Sequence, residues 1–126
     1  MRIEEQAQGG RFLIQGYGDG GFRVAGKRYQ ESILVLPSGI VSWQATCASD
    51  ITYESFRPAI EAAGEIDVLL LGTGKSMAPV DRALIRRIRE EHGIAIDLMD
   101  TGAACRTFNV LLLDGRLIAA ALLPVA

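Results

Sequence analysis

The stretch Ile94–Arg116, IAIDLMDTGAACRTFNVLLLDGR, decides the fold. Its first part, Ile94 to Met99, is apolar and short, as a buried strand is. Asp100 and Thr101 follow, and both residue types cap helices because a side-chain oxygen accepts one of the first free backbone N–H groups. Gly102, Ala103 and Ala104 then open a segment in which Ala104, Phe108, Leu111 and Leu112 recur at helical spacing, with Gly115 placed to end it. The small residues leave that helix end sterically open to a ligand or another backbone. A rival reading makes Val110 to Leu113 a strand, turning at Asp114-Gly115 into Arg116 to Leu123. Caps at both ends favour the helix.

Upstream, Ile66 to Leu71 is almost wholly apolar, as expected of a strand covered on both faces. Between the two strands, Pro79 to His92 reads as a helix, with proline at its start and Gly93 past its end. Val80, Leu84 and Ile88 form its core face, with Ile85 at the margin. Strand, helix, strand implies a crossover and two parallel strands. Earlier still, Thr52 can cap a helix carrying Phe56, Ala59, Ile60 and Ala63 and closed by Gly64. Pro58 must kink it or split off its first turn.

The first third is β-rich. Residues 1–11 read as an extended or poorly ordered lead-in. Phe12-Leu13-Ile14 is followed by a glycine-rich run, Gly16 to Gly21, expected to be a flexible turn. Phe22 and Val24 alternate with polar neighbours, and Ala25-Gly26-Lys27 turns the chain. Tyr29 to Leu36 and Ile40 to Gln44 read as strands joined by Pro37-Ser38-Gly39. Leu117 to Leu123 supplies the last strand. Together these give one α/β domain over residues 1–126: a mixed central sheet of about five strands, helices on its faces, and an N-terminal β-hairpin layer.

With 126 residues, 49% hydrophobic and 22% charged, the chain is long and apolar enough to build one core. A net charge of −2 gives no electrostatic reason to expect nucleic acid. The N-terminus lacks the apolar core of a signal peptide, and no apolar run approaches the roughly 18 residues that cross a bilayer. Cys47 and Cys105 fit no CxxC spacing, so reduced thiols in the cytoplasm are the default.

MDTGAACRTFN (99–109), the following Asp114-Gly115-Arg116 and LLLGTG (69–74) together resemble a family of small α/β domains of unknown biochemical function. That family includes a mitochondrial assembly factor of respiratory complex I. The resemblance spans Phe12 to Pro124 and implies a bacterial member with a non-catalytic role in protein binding or assembly. It also favours the helix after Thr101. Gly72-Thr73-Gly74, Met99-Asp100-Thr101, Ala104-Cys105, Thr107, Asn109 and Gly115-Arg116 carry the match.

Two candidate sites emerge. Gly72-Thr73-Gly74-Lys75-Ser76 follows a buried strand but is no Walker loop, because that motif needs glycine where Leu69 stands. It is no dinucleotide fingerprint either, because Met77 occupies the third glycine position. In an open parallel sheet, ligands bind at the carboxyl ends of the strands. Gly72, Thr73, Gly74, Lys75, Asp100, Thr101 and Arg106 are therefore candidates for a small-anion or ligand site, possible in an enzyme. The competing explanation is a tight structural turn. No catalytic base accompanies them: His92, the single histidine, falls on the opposite sheet edge, which argues against triad chemistry and against zinc. No cofactor is expected. Cys105 lies in the second turn of its helix, where the positive helix end would favour a thiolate, but it flanks Phe108 and Leu112, and a half-buried structural thiol is the favoured reading.

The second site is apolar. In the helical reading Val110 and Leu113 project away from the core face, beside Arg106 and Asn109, and something must cover them or they remain a patch. Val110, Leu113 and Asn109 are the candidate residues for a protein partner. The N-terminal strands are the alternative cover. Arg82, Arg86 and Arg89 line the outer face of the preceding helix and read most simply as solvated, with an acidic partner as the alternative. Trp43 reads as core.

Overall fold

The computed structural model describes residues 12–126; the lead-in read at residues 1–11 lies outside them. The element order is β1 (Ile14–Gly18), β2 (Gly21–Val24), β3 (Lys27–Tyr29), β4 (Ile33–Leu36), β5 (Gly39–Ser42), α1 (Arg57–Glu61), β6 (Val68–Gly72), α2 (Arg82–His92), β7 (Ala95–Met99), α3 (Thr101–Leu113) and β8 (Ile118–Leu122). Five strands form a mixed sheet in the order β5-β4-β8-β6-β7, and β1-β2-β3 form a separate antiparallel sheet.

Side chains alternate across a strand, so a strand apolar at every position feeds two cores. Leu34, Leu69, Leu71, Ala119 and Ala121 point to one face, where they pack with Trp43, Phe56, Ile88 and Ile96 beneath α1 and α2. Ile33, Val35, Leu70, Ile118, Ala120 and Leu122 point to the other, against Phe108, Leu112, Phe22 and Val24 from α3 and the small sheet. The molecule is thus layered: helices, central sheet, then α3 with the β-hairpin layer.

Strand β8 does not lie at the margin as the last element. It sits at the centre, antiparallel to β4 and parallel to β6. Its sequence, IAAAL, is buried throughout, and its alanines let the covering layers approach closely on both faces. β6 and β7 are parallel, in the register Leu70↔Asp97, as the crossover requires.

Three sequence expectations are corrected by local chemistry. The run from Tyr29 to Leu36 is two strands in different sheets, parted at Gln30–Ser32. The Gln30 amide donates to the Asp19 carbonyl at 2.6 Å, and Arg28 donates to the Gly18 carbonyl at 2.8 Å, so this polar segment ties down the first hairpin. The glycine run is mostly strand, with only Asp19-Gly20 turning. Both have positive φ, 52° and 80°, the geometry a two-residue hairpin needs. Helix α2 starts at Arg82, not Pro79, because Asp81 caps it by accepting from the Ala83 N–H at 2.9 Å. The Thr52 segment is broken as Pro58 demands: a short 3-10 turn, Glu54–Phe56, precedes α1. Trp43 is core, its indole N–H donating to the Ser55 carbonyl at 2.9 Å.

Candidate functional site

Both candidate sites involve α3: one lies at its start together with the loop after β6, the other on its outer side. The strand-end loops are described first. β6, β7 and β8 run parallel or are bridged in parallel, so Gly72, Met99 and Leu122 reach the same sheet edge. Asp100 is the N-cap of α3, accepting from the Ala103 N–H at 2.8 Å. Thr101 is the first helical residue and is fully buried. Its hydroxyl points inward, accepting from the Gly74 N–H at 2.8 Å and donating to the Leu123 carbonyl at 2.7 Å. Its own N–H donates to the Gly74 carbonyl at 2.8 Å. One threonine therefore joins the β6 loop, the start of α3 and the end of β8.

Thr73 does the same on a smaller scale. Its N–H donates to the Met99 carbonyl at 3.0 Å, and its hydroxyl donates to the Ser76 carbonyl and accepts from the Ala78 N–H. Gly72 is required by contact: a Cβ there would stand 2.9 Å from Thr101 Cα, and backbone cannot swing aside. Gly20 of the first hairpin donates to the Val125 carbonyl at 2.8 Å, which brings the small sheet over the same edge. The Thr73 and Thr101 hydroxyls and the Gly74 N–H at this edge are bonded within the chain. Lys75 is exposed, and no described residue pairs with it.

What occupies the open start of α3 is Tyr17. A Cβ on Gly102 would collide with the Tyr17 hydroxyl, so glycine there admits a side chain from β1. The sequence held one clue to this, an aromatic residue set among glycines. Burial pushes the Cys105 thiol up to about 12; Asp100 adds to the rise and the Arg106 guanidinium opposes it. A thiol held protonated is a poor nucleophile, in keeping with a structural residue. His92 lies at the other edge, 2.7 Å from the Tyr53 hydroxyl, and Arg87 stacks on the Tyr53 ring at 3.8 Å. Among the described residues no cluster of three or more His, Cys, Asp or Glu side chains is placed to hold a metal.

The outer side of α3 is different. Asn109, a candidate for partner contact, is spent internally: its amide accepts from the Ile14 N–H at 2.8 Å and donates to the Ile14 carbonyl at 2.7 Å. Asn109 therefore clamps β1 to α3. Val110 and Leu113 lie on the outward face, 65% and 53% exposed, while the Arg106 guanidinium reaches back toward Gly102 at the start of α3. The described strands β1, β2 and β3 do not cover them. Arg106 makes no hydrogen bond or ion pair with another described residue.

These features define a class: a small mixed α/β domain whose strand-end loops are locked together and whose last helix presents an apolar outer face. The chain belongs to the family described as a protein of unknown function (DUF498/DUF598), matched over residues 14–123. It is 34% identical over 111 residues to the mouse NADH dehydrogenase [ubiquinone] 1 alpha subcomplex assembly factor 3. That alignment covers 88% of this chain but 60% of the mouse protein, so the chain spans well under the full length of that relative. An uncharacterised protein of Rhodobacter capsulatus is 32% identical, with 99% of this chain and 94% of that one covered. A solved structure from Bartonella henselae, described as an outer membrane protein, superposes with a TM-score of 0.85 at 41% identity, covering 92% of this chain and 97% of that one. No helix among the described residues is long and apolar enough to cross a membrane.

Proposed function

We propose that this domain is a non-catalytic protein-binding module, of the assembly-assisting kind, that works through the outer face of α3. The carrying observation is the exposure of Val110 and Leu113 on a helix whose other sides are buried. Contiguous exposed apolar patches mark interaction sites once they exceed a few hundred Å², and Val110 and Leu113 are neighbours on one helix face. The assembly-factor name of the mouse relative supports the same direction. The rival ligand reading loses support at the strand-end loops, where hydroxyls and backbone N–H groups are already bonded within the chain. The test is Val110→Ser with Leu113→Ser. A binding face loses its co-purifying protein while the unfolding midpoint barely moves, since surface changes usually stay within about 0.5 kcal/mol. A loss of stability of several kcal/mol with unchanged co-purification would defeat the proposal, because that is the behaviour of buried side chains.

A further inference from the structure

Parallel strands are ordinarily covered on both faces, and β7 is covered on one. Ile96 is buried on the side of α1 and α2, and Leu98 packs there with it. The register Leu70↔Asp97 turns Ala95, Asp97 and Met99 to the other side, where Leu70 lies with the α3 core. There Ala95 and Met99 are only half-buried and Asp97 is exposed. The placing of α3 accounts for the gap. This helix packs on β6 and β8, and one flank holds β1 through Gly102 and Asn109. Its other flank carries Ala103, Thr107 and Leu111, four apart and half-buried, and looks out over β7. Strands lie about 4.8 Å apart, so β7 stands roughly 7 Å to the side of an axis centred over β8 and β6. Packed helices lie about 8–10 Å apart. The step beside α3 therefore has room for one more helix, with its axis at the outer edge of β7.

We propose that the protein partner seats an amphipathic helix in this step, alongside α3 and over β7, and sets a lysine or arginine against Asp97. This rests on the reading of α3 as a protein-binding surface, and it extends that surface from Val110 down the adjoining flank. Charge and length choose the occupant. The Asp97 carboxylate, central in β7, makes no hydrogen bond or ion pair with another described residue. Its neighbours in the step, Ala95, Met99, Thr107 and Leu111, are uncharged. Covering an unpaired carboxylate is costly, so a helix that lies over it must bring a cation. The five residues of β7 span about 17 Å, matched by about eleven residues, or three turns, of helix. A second copy of this chain offers no such helix. Its α2 turns charged residues outward, its α1 has five residues, and the one basic residue of α3, Arg106, reaches back over Gly102.

Photo-crosslinking in the native host reads this directly. A small diazirine-bearing residue is placed in the full chain at Thr107, in the step, and for comparison at Arg86, on the outer face of α2. Thr107 is expected to capture one segment of another protein, and Arg86 not to capture it. That segment, made as a peptide, should be an amphipathic helix with a lysine or arginine on its apolar side. Titrated against the chain, it should bind Asp97→Lys roughly tenfold or more weakly than wild type, with Asp97→Asn between the two. Replacing the peptide's basic residue with glutamate should restore binding to Asp97→Lys and weaken binding to wild type. A captured strand or loop, or a second copy of this chain, overturns the proposal. So does equal binding to wild type and Asp97→Lys, or a charge swap that fails to restore it. If Thr107 captures nothing while Val110→Ser with Leu113→Ser still releases a co-purifying protein, the inference fails and the binding reading stands. If Thr107 captures nothing and that double variant releases nothing, both fail.

Discussion

The two ends of one helix, α3, make opposite use of their polar groups. At its start, Asp100 and Thr101 are consumed by bonds to Ala103, Gly74 and Leu123, and glycines at 72 and 102 give way to neighbouring atoms. Further along its outer side, Arg106 and Asp114 are unpaired among the described residues, and Val110 lies open between them. Both regions belong to the stretch by which the family is recognised. In the first the named polar side chains are bonded inside the chain; in the second they are not. A conspicuous loop motif can thus be a lock, and on the proposed reading a plain aliphatic pair is the binding surface.

Four measurements would break or sharpen that contrast. The largest effect belongs to Thr101→Val, which keeps the shape but strands a buried N–H of Gly74 and a buried carbonyl of Leu123. Urea unfolding should show a loss of roughly 2–5 kcal/mol, the penalty for two unsatisfied buried groups. Stability equal to wild type would mean that the lock is no lock. Asn109→Ala removes both bonds to Ile14 and should cost roughly 1–3 kcal/mol. Hydrogen exchange should localise the loss to β1 and β2, since the central sheet does not depend on that clamp. Asp100→Ala, which removes the cap of α3, should lower stability by about 0.5–2 kcal/mol; Thr101→Val should exceed it in the same buffer. The smallest effect is expected from added phosphate. With the Thr73 and Thr101 hydroxyls and the Gly74 N–H bonded within the chain, it should leave the melting temperature unchanged and alike in wild type and Lys75→Ala. A saturable rise that Lys75→Ala abolishes would reopen the ligand reading.

The sequence announced the elements whose signal is local. Asp100 as cap, Gly93 after α2, the parallel pair β6 and β7 and the helix across 101–113 all rest on neighbours a few residues apart. What it hid was set by distant partners. Asn109 looks like a surface amide until Ile14, 95 residues earlier, is seen to claim both its ends. Thr101 looks like an alternative cap until Leu123, 22 residues on, is seen to accept its hydroxyl. The central place of β8 was illegible for the same reason: an all-apolar run shows that a strand is covered on both faces, not which strands flank it. Exposure of Val110 and Leu113 was readable from helical spacing. Their lack of cover was not, because the hairpin layer was long enough to reach them.

The central position of β8 has a consequence for the chain as it is made. Synthesis delivers β4 and β6 long before Ile118–Leu122, yet those two strands have no ladder between them and meet only through β8. Until β8 has been made, β4 with β5 and β6 with β7 lack the strand that joins them, and the central sheet cannot close. Exposed edges of this kind invite pairing with other chains, and pairings between strands distant in sequence form slowly. Premature termination a few residues before Ile118 would thus leave a sheet without its middle and not a slightly shortened domain.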